Sequence, residues 1–177
     1  MKKVVINIAL VLLIFVCYFL QSNFFSCFTI AGVSPNLFVI FIVFVGLFGN
    51  KFMGVTYGLF LGFFLDYLFR SKVGISAIGL ALIGILAKVF DKNFSKDSRI
   101  TIMLMIAALT IFYEVFSYVA SYVIFSINFE LIYFIKILLV EVAYNVVLTV
   151  ILYPAMQKFG YYIENTYTGN KILTRYF

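Results

Sequence analysis

"GVTYGLFLGFFLDYLFRSKVG", residues 54–74, sets Gly54, Gly58 and Gly62 at four-residue spacing and then places Asp66 on the same stripe. Four residues turn a helix by about 400°, so the glycines form a shallow groove that drifts by about 40° at each step. Such a stripe weakens a helix in water, but in lipid it has a use. Apolar helices gain nothing from meeting one another among apolar tails, and they associate where small residues let backbones approach. The stretch is therefore read as a membrane-spanning helix whose packing face is Gly54, Gly58, Gly62 and Asp66. "GISAIGLALIG", residues 74–84, offers a second small-residue surface through Gly74, Gly79 and Gly84 with Ala77 and Ala81. Either this neighbouring helix or a helix of another protein can fill the groove.

The rest of the chain supports a lipid environment. Of 177 residues, 65% are hydrophobic and 11% charged, against about 45–50% and about 25% in a soluble domain. A hydrocarbon core about 30 Å thick needs ~20 apolar residues as helix. Runs of that kind lie at about 4–20, 36–50, 52–70, 74–90, 100–126 and 131–157. The expectation is one integral membrane domain over 1–177, all-α and polytopic, with about six transmembrane helices and an uncleaved first span. Residues 21–35 are expected to lie along the interface, and residues 158–177 against headgroups as a basic, tyrosine-bearing tail.

The net charge of +6 belongs to topology rather than to a nucleic-acid partner, because the basic residues fall in gaps between apolar runs. Lys88, Lys92, Lys96 and Arg99 mark their connection as cytoplasmic, which puts both termini inside a bacterial cytoplasmic membrane. The chain has no histidine, and its two cysteines, Cys17 and Cys27, are ten apart. Neither metal, nor disulfide, nor cofactor is indicated. No nucleophile sits with a base, so an enzyme is not expected.

Ionisable groups inside a span are costly and have a reason to be there. Asp66 lies near the outer end of its helix, where it can pair with Arg70 one turn later or make a polar contact at the end of the glycine groove. Counting from the outer ends at ~1.5 Å per residue, Glu114 is roughly 18 Å deep, Glu141 roughly 15 Å and Lys136 about 7 Å. Glu141 and Asn145, four apart, share a face. Glu114, Lys136, Glu141 and Asn145 are read as intramembrane polar contacts. A proton path through the carboxylates is the alternative, but no pair of repeated halves with broken helices accompanies it.

With these residues in view, the chain resembles the rod shape-determining MreD family over its whole length. The likeness is carried by "SPNL" (34–37), by the glycine span with its terminal aspartate and following glycine-containing helix, and by "EVAYNVVLTVILYPAMQKF" (141–159) with Asn145 and Pro154. The chain departs from the family pattern at "FRSKVG" (69–74). The resemblance implies a non-enzymatic subunit of the bacterial elongasome, which maintains rod shape by helping organise lateral peptidoglycan synthesis. It implies the bitopic protein MreC as partner, and through it the actin-like filament protein and the wall synthases. It also implies a fold similar to the substrate-binding subunits of energy-coupling-factor transporters. A vitamin-binding subunit of that kind is a second reading, although "INIALVLLIFVCYF" (6–19) lacks the small-residue stripe such subunits carry on their first helix. A small proton-coupled carrier is a third.

Overall fold

The computed structural model describes residues 1–69, 74–94, 96–125 and 130–168. Six helices occupy them. α1 is α-helical over Lys2–Phe19, passes through a π turn at Leu20–Phe24 and ends in one further turn, Phe25–Cys27. It is followed by α2 (Leu37–Phe48), α3 (Met53–Phe69), α4 (Ile75–Asn93), α5 (Arg99–Phe125) and α6 (Leu131–Thr168). Among the described residues, Ile30 and Val33 make the only strand-like pairing, a single bridge.

Three stretches, Lys2–Cys27, Arg99–Ile124 and Leu131–Tyr167, are long and apolar enough to cross a membrane. Large apolar side chains cover their outward faces, among them Ile8, Leu12 and Phe15 on α1 and Ile132, Leu139 and Ile151 on α6. Helices satisfy their own backbone groups, and such faces suit a hydrocarbon surround. The chain is an all-α polytopic membrane protein.

At the centre stands α2. Its sequence "LFVIFIVFVGLF" is apolar all round, as a helix enclosed on every side must be, and all 12 of its residues are buried. It touches each of the other five helices. At ~1.5 Å per residue it is about 18 Å long, well short of the ~30 Å core and shorter than the 36–50 run in the sequence.

The neighbours run alternately up and down around it. One end, here the near end, gathers the start of α1, the turn after α2, the α4–α5 connection and the last turns of α6. Contacts of Tyr167 with Asn7, Lys88 with Gly49, and Lys96 with Glu164 tie that end together. The other, far end holds the connection between α1 and α2. The sequence placed residues 21–35 along the interface; residues 26–32 are exposed, and single contacts tie the connection to the bundle. Ala31 (φ 52°) and Gly32 (φ 80°) form a tight turn there, Ile30 and Val33 exchange two backbone hydrogen bonds of 2.9 Å, and the Tyr144 hydroxyl of α6 donates to the Phe28 carbonyl at 2.9 Å.

α6 continues past Pro154 to Thr168. Proline removes one backbone donor and crowds the carbonyl four residues earlier, yet the helix runs through Pro154, whose ring is exposed. Residues 158–168, expected as part of a headgroup-lying tail, are thus the last turns of α6. They pack: Gly160 lies on the Phe48 ring and Ile163 is fully buried. Residues 169–177 of that tail lie outside the described residues.

Candidate functional site: polar clusters at the two ends of the central helix

The glycine stripe faces the chain's own next helix. A Cβ built on Gly58 would lie 2.5 Å from the Leu80 carbonyl oxygen and 2.9 Å from the Ala81 nitrogen. One on Gly62 would collide with the Ala77 backbone, and one on Gly54 would come within 3.0 Å of both Gly46 and Gly84. α3 and α4 are accordingly the most extensively packed pair in the bundle, and no partner helix has room on this face. Asp66 ends the stripe by accepting three backbone N–H bonds, from Gly74 (2.8 Å), Ser76 (3.3 Å) and Ala77 (3.3 Å). These are first-turn donors of α4 and would otherwise be orphaned. A carboxylate also suits the positive end of the helix dipole. The pairing with Arg70 considered from the sequence falls outside the described residues.

At its far end α2 starts deep among the other helices, level with Asn145, some 14 residues or about 21 Å along α6. Its first N–H groups are met by side chains from three elements. Asn145 accepts from the Asn36 N–H at 2.7 Å and donates to Thr110 of α5 at 3.1 Å. Gln21, from the π turn of α1, accepts from the Leu37 N–H at 3.1 Å and donates to the Pro35 carbonyl at 2.7 Å. Asn36 caps its own helix through Val39 at 3.3 Å. Beside them Glu141 is 7% exposed, with Glu114 and the Asn36 side chain as neighbours. Its Oε1 has no hydrogen-bond partner among the described residues. Glu114 opens on the other side into a cavity of about 220 Å³ between α5 and α6, where the rings of Tyr118 and Phe134 stack at 4.2 Å.

Of the four expected intramembrane contacts, then, Glu114, Glu141 and Asn145 lie together. Lys136 is apart from them, exposed and without a hydrogen bond or ion pair among the described residues. Gln21, Thr110 and the Asn36 cap were missed from the sequence. The available signal was "SPN" before an apolar run, a turn followed by a capping residue.

The near end carries the opposite polarity. Lys88 donates to the Gly49 carbonyl at 3.0 Å and pairs with Asp91 at 2.9 Å. Lys96, only 5% exposed, pairs with Asp91 at 2.9 Å and Glu164 at 2.8 Å, and its ammonium stands 5.1 Å from the centre of the Phe48 ring. Cations at the C-terminal end of α2 complement its dipole. Asp91 lies just past the apolar run of α4. Burial pushes its carboxyl up, but Lys88 and Lys96 outweigh burial and hold it below the ordinary value. Next to them the Tyr161 hydroxyl donates to the Asp97 carboxylate. From the sequence these charges signalled orientation alone; that they close onto α2 was not legible.

No group of three or more histidine, cysteine, aspartate or glutamate side chains among the described residues could hold a metal ion. Asn145, Gln21 and Asn36 at the far end, and Lys88 and Lys96 at the near end, bind backbone groups at the two ends of α2. A search of curated proteins and a search of solved structures each returned no match. The model of one protein family, rod shape-determining protein MreD, matches residues 2–163, and the chain belongs to that family of membrane proteins that determine rod shape.

Proposed function

We propose that this chain is a non-catalytic membrane subunit of the elongasome, which maintains rod shape by helping organise lateral peptidoglycan synthesis. Its partner in this reading is the bitopic MreC, and through it the actin-like filament protein and the wall synthases. It sits in the cytoplasmic membrane with its near end, and so both termini, inside. The family match over residues 2–163 carries the proposal. The geometry is in keeping with it: Asp66 and Asn145 cap helices and Lys96 ties α4, α6 and the connection between α4 and α5 together, as a scaffold requires. Since α4 fills the glycine groove, a partner's single span has to dock on a different face.

Affinity purification of the tagged protein from membranes tests this. Recovery of MreC together with rounding of depleted cells is the expected result. Recovery of ATPases with a transducing subunit would favour a vitamin-transport subunit instead. Glu114→Gln or Glu141→Gln proteins that are abundant yet inactive would favour a proton-coupled carrier.

A further inference from the structure

A second cavity is lined by residues of α1, α2 and α6. It has a volume of about 520 Å³ and is walled by α1 and α6, with α2 as its floor. Its lining is apolar throughout: Ala9, Leu13 and Cys17 on α1, Phe41 on α2, and Leu152 and Ala155 on α6 are representative. The space equals roughly seventeen water-sized groups, which is the scale of one lipid acyl chain. Ala155, exposed on α6, and half-buried Ala9 on α1 both line it, and larger side chains at these positions would narrow it. Towards the near end α1 and α6 meet through Tyr167, whose hydroxyl donates to Asn7 at 2.8 Å.

The charges at that end are arranged for an anion. Lys2 precedes Ala9 by seven residues, which returns it to the same side of α1, about 10 Å beyond the cavity. Lys158 follows Ala155 by three residues, on the lipid-facing flank of α6. Both are exposed, and neither has an ion pair among the described residues. By contrast Lys88 and Lys96, at the same end, are fully engaged with carboxylates. Basic side chains beside a gap between helices are a recurring arrangement for anionic headgroups.

We infer that the α1–α6 cavity holds one acyl chain of an anionic phospholipid whose headgroup lies between Lys2 and Lys158. A second copy of this chain or a partner's helix would need matching apolar relief without unpaired lysines at its rim. The phospholipid satisfies both features at once.

The experiment uses the full chain in detergent, stripped of lipid and titrated with phosphatidylglycerol or phosphatidylcholine, with bound lipid counted by native mass spectrometry. One phosphatidylglycerol should be retained in preference to phosphatidylcholine. Lys2→Gln with Lys158→Gln, both surface changes, should reduce that preference about fivefold for each lysine. Ala155→Phe should fill the cavity and remove tight retention of either lipid while the protein stays monodisperse. Equal retention of the two lipids, or a preference unchanged in the double glutamine variant, would overturn the proposal. So would a dimer mass, or a co-purified single-span protein, that disappears in Ala155→Phe. If Ala155→Phe aggregates, the glutamine pair decides the matter alone.

Discussion

Asp66 is a carboxylate near the end of an apolar helix, and its three bonds all go to the backbone of the next helix. Asp66→Leu should therefore lower stability in detergent by about 1–2 kcal/mol, the range for losing a good N-cap. Asp66→Asn, which keeps an acceptor oxygen, should lose less; equal losses from the two variants would deny the capping role. The sequence singled out Asp66 but not its partner, since backbone N–H groups carry no signature in a sequence. Asp91 is the residue whose charge state reports on the near end. Its carboxyl is held below its ordinary value in the folded protein. The stabilisation is thus fully present above the unfolded carboxyl's pKa, near pH 4, and is lost as pH falls through the lower folded value. Thermal unfolding followed from pH 7 down to pH 3 should show a falling midpoint, and Asp91→Asn should flatten the lower part of that curve.

At the scale of elements, the pairing of α3 with α4 depends on backbones in contact. Gly58→Leu would force them apart and remove dispersion contacts along both helices, which lipid does not replace selectively. The folded amount recovered from membranes should drop severalfold, whereas Phe60→Leu, on the exposed side, should leave it unchanged. Normal abundance of Gly58→Leu would mean that this face does not hold the bundle. Helix periodicity and glycine spacing made this element readable, because each small residue at a fixed step is visible in one chain. α2 was less readable. Its apolar run adjoins "SPN" on one side and "GN" on the other, so its length looked sufficient for a span. The hydrogen bonds that start the helix at Leu37, deep beside Asn145, come from side chains up to 109 residues away in sequence. Distances of that kind leave no local pattern.

For the whole molecule, orientation can be read from a native residue. Cys27 is exposed at the far end, whereas Cys17 lines the α1–α6 cavity. In intact cells a membrane-impermeant maleimide should label Cys27, and Cys27→Ser should abolish the signal. In that background Lys92→Cys, on the near end, should label only after permeabilisation. The reverse pattern would invert the proposed topology and place the basic α4–α5 connection outside.

The complete enclosure of α2 also bears on biogenesis. The ribosome delivers this helix second, when only α1 is available to cover it, and its remaining four neighbours follow. Until they arrive, a segment too short to span the bilayer and with no polar face has to wait at the insertion machinery or lie aslant in the membrane. Its docking is therefore a late event, completed when α6 supplies Asn145 to its first turn and Glu164 to the lysine at its last. A chain released after α5 should lack both anchors and be removed by membrane proteases, however intact its first five helices are.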